Sequence, residues 1–388
     1  MPTHQLLSAG SRKAVRIIPA LLGATCALAT KSYGFYKPVD DNSELFFVCT
    51  ASVAYNDNIF LGHANTQSAL IFDVAPGFSF ESGKDTSVEQ TKVTAYEDFQ
   101  EYADGKSFSN QLANAELFSR YDDDKLKLSF DGTFHQADQP EVGLQNLDYL
   151  EKRDLTDLNG TGEVQLTDKS SIGASVIYDD TSYQGNGFTD WSYIEVPVDF
   201  YWKVEPKLDL SAGFRYRDNT VNNGGIDSQN YYYNVGARGE FSPDFTGEFD
   251  VGYNQLDITG GGRQSALGAD SKFIYAYSPK TSFTVSLNED YGYSATGGAG
   301  YREPNAFVGM TTALTEQWSA FGQVTYGQYN YISTTQRDDF VSFRLGVGYL
   351  FSTNFSVKVA YDYAEDSSNI NADSFNSSIF TVSASVRF

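Results

Sequence analysis

The chain ends Ile379-Phe-Thr-Val-Ser-Ala-Ser-Val-Arg-Phe388. Side chains alternate faces along an extended strand. Phe380, Val382, Ala384, Val386 and Phe388 therefore share one face, and Thr381, Ser383, Ser385 and Arg387 the other. The same period-two pattern recurs along nearly the whole sequence. Leu70 to Phe80 alternates by twos, as do Leu126 to Phe134, Ile194 to Trp202, Leu208 to Tyr216, Phe245 to Tyr253, Trp318 to Tyr326, Val341 to Phe351 and Phe355 to Tyr363. Weaker segments near 91–102 and 111–121 also fit strands, which predicts about 18 strands in all. A chain of amphipathic strands with no helical interruption must set its apolar faces either against one another or in lipid.

Composition separates some of these outcomes. No run of roughly 18 apolar residues occurs beyond the N-terminus, so helical membrane spans are not expected. A membrane β-barrel remains compatible with ordinary apolar content, because lumen residues alternate with lipid-facing ones. The net charge of −23 opposes binding to nucleic acid, whose phosphates it would repel. Arg12, Lys13 and Arg16 precede an apolar stretch, Ile17 to Ala29, and Ala27-Leu-Ala29 offers a small-x-small cleavage site. The expected organisation is a signal peptide at 1–29, a periplasmic segment at 30–44 and a barrel at 45–388. Thr25 before Cys26 fits a lipoprotein box poorly. Removing the signal leaves Cys49 alone, so packing and ladder hydrogen bonds must hold the fold without an internal disulfide.

The connections alternate in length. Thr167–Ser170, Glu205–Lys207, Ser242–Asp244, Ser278–Lys280, Thr315–Gln317 and Ser352–Asn354 read as short turns. Longer polar stretches lie between them at 136–153, 179–190, 218–229, 257–265, 294–305 and 365–374. Short turns at one end and long loops at the other mark an up-and-down antiparallel outer-membrane barrel, with both termini periplasmic. A turn centred on Thr353 pairs Phe351 with Phe355, Tyr349 with Val357 and Val347 with Val359, and puts Arg344 opposite Asp362. A turn centred on Pro243 pairs Phe241 with Phe245 and Arg238 with Glu248. Apolar meets apolar and unlike charges meet, as a fixed register demands.

Backbone groups in lipid must be satisfied internally, so such a sheet has to close. Sixteen to 18 strands enclose an aqueous channel, whereas about eight are filled by side chains. The candidate pore-lining residues are the charges within the polar faces: Asp73, Asp131, Glu195, Asp199, Arg215, Arg238, Glu240, Glu248, Asp250, Arg344, Lys358 and Asp362. Tyr55, Tyr178, Trp202, Tyr216, Tyr253, Trp318 and Phe388 sit at strand ends, where interfacial girdles lie. Val142, Leu144, Leu147, Tyr149 and Leu150 make loop 136–153 apolar, which suits folding inward to narrow the pore or packing on the rim.

No catalytic, cofactor or metal site is expected. A barrel enzyme needs a Ser-His or Asp-His constellation, and the mature chain offers only His63 and His135. Asn56-Asp57-Asn58 and Glu365-Asp366, with Asn369 and Asp373, lack EF-hand spacing and read as solvated loops. The leading function is passive passage of small hydrophilic solutes. The alternatives are a non-conducting structural or adhesive barrel and a soluble sandwich array.

Three segments together resemble the putative β-barrel porin 2 family of outer-membrane proteins. They are Ser52-Val-Ala-Tyr-Asn-Asp-Asn-Ile-Phe60, Phe72-Asp-Val-Ala-Pro-Gly-Phe-Ser-Phe80 and the C-terminal strand. The first resembles the family's opening strand, with Asn56 in place of an Asp. The resemblance spans about 45–388. It implies a channel in the bacterial outer membrane, a link in some members to exopolysaccharide export, and no catalytic residues. Phe388 with its alternating apolar partners resembles the assembly signal read by the barrel-assembly machinery. The partners implied are that machinery, outer-membrane lipids, and hydrophilic solutes or polysaccharide.

Overall fold

The computed structural model describes residues 42–388, apart from 84–86, 104–107, 141–143, 146, 186, 223–224 and 296–297. The signal peptide and most of the 30–44 segment lie outside the described residues. The strands are β1 Ser43–Asn56, β2 Ala69–Ser82, β3 Glu89–Tyr102, β4 Asn110–Asp122, β5 Leu126–Ala137 and β6 Arg153–Thr167. They continue with β7 Ser170–Tyr183, β8 Trp191–Glu205, β9 Leu208–Val221, β10 Ser228–Ser242, β11 Phe245–Ile258 and β12 Arg263–Ser278. The last are β13 Thr281–Gly292, β14 Tyr301–Ala313, β15 Trp318–Tyr331, β16 Arg337–Ser352, β17 Phe355–Ser368 and β18 Phe375–Arg387.

Each strand pairs antiparallel with its neighbours in sequence, and β1 pairs with β18. The result is a closed 18-strand antiparallel barrel. The closing seam runs from Val48 opposite Arg387 to Asn56 opposite Ile379. Phe388 extends it by exchanging backbone hydrogen bonds of 2.8 and 2.9 Å with Phe47. Both ends of the described chain lie at the barrel end that carries the short turns.

The apolar rows face outward. Ile172, Phe200, Ala212, Val235 and Val251 stand side by side across β7 to β11. Val235 and Leu267 lie well inside their strands yet are 60% and 62% exposed. That amount of bare apolar surface is stable only against lipid. Rings meet at the turn end, where Trp318 and Tyr349 lie 4.7 Å apart and Phe245 and Phe273 stack at 5.1 Å.

Register follows the expected pairing in the strands and departs from it at the turns. Tyr349 faces Val357, Val347 faces Val359 and Arg344 faces Asp362. Phe355, however, pairs with Ser352, and Phe245 with Ser242. Phe351 and Phe241 are bulged out of the ladder. Similar shifts lie between Gln165 and Thr167, Lys203 and Glu205, and Ala276 and Ser278. A two-residue turn suits the twist of paired strands, and the residue left over is absorbed as a bulge. Hydrophobic contact survives the shift: the Phe351 and Phe355 rings are 5.2 Å apart.

The strands also run further than their apolar rows. Residues 179–183, 218–221, 301–305 and 365–368 are strand, and only 259–262 join β11 to β12. Beyond the lipid band both faces are polar, so alternation disappears while the ladder continues. The same cause places the start of β1 at Ser43, before the expected boundary, where the Ser43 and Ser82 hydroxyls are 3.2 Å apart.

Asn56, Asp57 and Asn58 do not form a solvated loop. Asn56 Oδ1 accepts from the Asn58 amide at 2.9 Å and from the Ser377 hydroxyl at 3.2 Å. Asp57 Oδ1 accepts from the Ser378 amide at 2.7 Å, and Asn58 Nδ2 donates to the Asn376 carbonyl at 2.8 Å. The motif stitches the end of the first strand to the last and so seals the seam. Asp366 is likewise buried, not solvated. A cysteine pair at Arg344 and Asp362 is expected to form a disulfide on mild oxidation; a pair one residue out of step, at 345 and 362, is expected not to, as read by gel mobility with and without reductant.

Candidate functional site

The face opposite the apolar rows lines the lumen, and all the candidate pore-lining residues lie on it. They fall into three groups. Near the short-turn end, Arg238 on β10 reaches Glu163 on β6 at 2.6 Å and Asp209 on β9 at 3.3 Å. Its guanidinium lies 3.3 Å from the centre of the Tyr201 ring. Lys207 pairs with Glu240 at 2.7 Å. Lys127, Lys203, Glu248 and Lys272 line the same open, charged vestibule. Asp131 is exposed on β5, Asp199 is partly exposed on β8, and Asp250 accepts from the Ser211 hydroxyl at 3.1 Å.

The second group lies against the seam. Arg344 and Asp362 are 3.1 Å apart, and Lys358 Nζ sits 4.4 Å from the Phe321 ring centre. Asp73 is buried beside them, accepting from the Ser52 hydroxyl at 2.7 Å. Asp73, Asp98, Arg344 and Lys358 line one narrow cleft.

The third group crosses the lumen. Arg215 and Arg217 on β9 extend to Asp290 on β13, each at 2.8 Å and each to a different carboxylate oxygen. Glu195 on the adjacent strand β8 pairs with Arg217 at 2.6 Å. Arg215 also lies 4.9 Å from the Tyr232 ring centre, and Arg217 4.8 Å from that of Tyr193. Strands β9 and β13 are four apart in the barrel, as are β6 and β10. In a circular barrel of this size, such strands would stand about 20 Å apart, from a strand spacing of ~4.8 Å and a tilt of ~40°. That is more than an arginine and an aspartate can bridge. The wall is therefore drawn inward, and the lumen is narrower than its strand number implies. Glycine leaves room for the inward rings: a Cβ at Gly268 would strike the Tyr232 ring, and one at Gly292 the ring of Tyr301, its ladder partner.

The loop-side half of the lumen is packed. Leu144, from the β5–β6 loop, is buried against Tyr183 and Ala295, with Leu147 and Phe188 beside it. Ala295 belongs to the β13–β14 loop, eight strands round the barrel from β6. Leu150 packs on a second cluster that contains Ile59, Phe60 and Tyr102. The apolar loop thus reaches across the mouth, and Glu151 and the Gly185 amide hold it by a short hydrogen bond. Burial pushes the Asp138 carboxyl in this loop above its ordinary range, against the pull of the Asn110 amide and the Arg153 guanidinium. Of the histidines, His135 Nδ1 lies 2.9 Å from Asn114 Oδ1 and His63 Nδ1 lies 3.1 Å from the Ser374 carbonyl oxygen. Asp138 bonds to Asn110 at 2.7 Å. The His135–Asp138 proximity in sequence builds no dyad between them.

Arg217, Asp290 and Glu163 were not among the sequence candidates. Arg217 shares the inward parity of Arg215 and was open to the same reading. Nothing in local sequence marks Asp290 as its partner.

A polar lumen inside a lipid-facing barrel defines the class: a porin-like outer-membrane protein. The profile of the family described as "Putative beta-barrel porin 2" matches residues 48–388, and the chain belongs to that family. No curated protein matches the sequence. Among solved structures, the chain is similar to OccK2 (OpdF) of Pseudomonas aeruginosa, determined in complex with glucuronate. Identity there is 9%, TM-score 0.47, and coverage 90% of this chain and 99% of the other. It is also similar to OccAB4 of Acinetobacter baumannii, at 12% identity, TM-score 0.46 and coverage of 90% and 99%. A third is the FrpB iron transporter of Neisseria meningitidis (F3-3 variant), at 12% identity and TM-score 0.45. That likeness covers 84% of this chain but only 62% of the transporter, less than two thirds of its length.

Proposed function

We propose that the protein is a channel for small hydrophilic solutes, with its short-turn end and both termini in the periplasm. The observation that carries the reading is the continuous polar inner face of a closed 18-strand barrel, open as a charged vestibule at the turn end. Selectivity follows from lumen charge and width, as in other pores. Phe388, paired to Phe47 at the seam and 53% exposed, is suited to the role of assembly signal. The packed loop-side half favours one second reading, a closed barrel with a structural role. It also weighs against export of a polysaccharide through the lumen in this conformation, since a sugar chain needs a continuous opening.

Swelling of protein-loaded liposomes in small sugars tests the channel reading. The wild type is expected to admit a monosaccharide slowly. Leu144→Asp puts a charge among Tyr183 and Ala295 and frees the loop, and is expected to raise the swelling rate several-fold. Equal, background-level swelling for both proteins, with normal barrel content by circular dichroism, would support the structural reading.

A further inference from the structure

We propose that Glu303 and the acidic wall around it form a binding site for the ammonium head of a small aliphatic amine, in the cavity that the cross-lumen bridge borders. The proposal deepens the channel reading and rests on it only for the site's role in passage.

Six carboxylates and two guanidiniums line this cavity. The guanidiniums are already engaged: Arg215 and Arg217 both hold Asp290, and Arg217 also holds Glu195. Glu289 is answered by Arg302 at 3.1 Å. Among the described residues no cation answers Glu303. Glu303 is 4% exposed on β14. Asn305 Nδ2 donates to its Oε1 at 3.0 Å, while its Oε2 is buried with no hydrogen-bond partner among the described residues. Its neighbour across the ladder is Asp290, a second carboxylate, and Asp157 and Asp270 add negative charge to the same cavity. A buried carboxylate with an unbonded oxygen costs free energy, which a bound cation offsets. The local balance therefore calls for a cation, and it does so with the arginine bridge closed.

The surroundings narrow the kind of cation. Among the described residues no group of three or more carboxylate, histidine or cysteine side chains is placed to chelate a metal ion. A primary ammonium instead brings three N–H donors of its own. One meets the unbonded Glu303 oxygen. The side-chain amides of Asn288 and Asn305, opposite each other in the ladder and lining the same cavity, offer carbonyl oxygens to the others. Trp191 and Tyr293, with ring centres 5.7 Å apart, also line it, and aromatic faces suit both an ammonium and its carbon chain. The cavity volume is about 80 Å³, on a measure by which one buried water takes about 10–15 Å³. That is room for an ion of a few heavy atoms.

The test uses full-length protein in which Trp202 and Trp318 are changed to Phe, so that Trp191 reports alone; the chain has three tryptophans. Ethylammonium chloride is titrated at neutral pH and constant ionic strength, against ethanol and against potassium chloride, in this protein and its Glu303→Gln form. Ethylammonium is expected to change Trp191 fluorescence saturably, and ethanol and potassium ion are not. Glu303→Gln keeps the shape and the acceptor for Asn305 but removes the charge, and is expected to weaken ethylammonium binding by about tenfold or more. Its urea midpoint without ligand is expected to equal or exceed that of its parent, because an unanswered buried charge is gone. No ethylammonium response, an equal response to ethanol or potassium ion, or an affinity unchanged by Glu303→Gln would overturn the site. A midpoint that falls together with the affinity would make Glu303 a structural residue and overturn it too. Ionic conductance of the same two proteins in a planar bilayer separates the site from the channel. Conductance without ethylammonium binding removes the site and leaves the channel. Ethylammonium binding with no conductance in either protein leaves the site and removes its role in passage.

Discussion

Arg217→Met is expected to destabilise the barrel by about 3–5 kcal/mol, the usual cost of stranding one partner of a buried ion pair. The reason lies in what remains. Glu195, only 3% exposed, loses its closest cation, and Asp290 loses one of the two that it holds at 2.8 Å. Arg215 alone then faces two carboxylates, one at 3.6 Å and one at 2.8 Å. The hydrogen bond from Arg217 to the Tyr291 carbonyl, 3.1 Å, is lost as well. Arg217→Lys keeps the charge but not the fork that spans Glu195 and Asp290, and is expected to recover only part of the loss. Urea unfolding of barrel reconstituted in detergent, followed by intrinsic fluorescence, measures both. A midpoint for Arg217→Met equal to that of the wild type would show that the cross-lumen bridge contributes little to the folded state.

Val347→Arg is expected to cost about 2–4 kcal/mol if its side chain lies near the bilayer midplane. Val347 is 41% exposed on the outer face, between Ala320 and Val359 in the ladder. A guanidinium there must either enter hydrocarbon or pull water and headgroups toward it. The matching change on the inner face, Ser356→Arg, is expected to stay within about 1 kcal/mol, since its position opposite Leu350 and Ser385 faces the polar lumen near the turn end. Urea unfolding from lipid vesicles compares the two. Equal costs would contradict the facing of β16 and β17.

How much of this was legible in the sequence depends on whether the signal is local. The apolar rows were legible because period two is a property of one strand, and Val341 to Phe351 needs no partner to be read. The central register of β16 and β17 was legible because a short turn fixes it, as Arg344 opposite Asp362 shows. The bulges at Phe241 and Phe351 were not, since a bulge leaves the residue count of a turn ambiguous by one. The outer strand ends were hidden because polar residues there pair as well as apolar ones do inside the lipid band. The inward face of the pore-lining candidates follows from parity alone. What those residues touch does not. Arg217 and Asp290 are 73 residues apart, and only the inward collapse of the wall brings them together. Asn56 and Asn58 had the composition of a loop, and only closure of β1 on β18 shows that they fasten the seam.

The central claim is that this closed barrel encloses a solute path narrowed by a bridge across the lumen. Single-channel recording of purified protein in a planar lipid bilayer tests it most directly. The account predicts discrete conductance steps in potassium chloride, small for an 18-strand barrel in the wild type and several-fold larger in Asp290→Asn. Electrical silence of both proteins, with folded barrels shown in the same membranes, would contradict it.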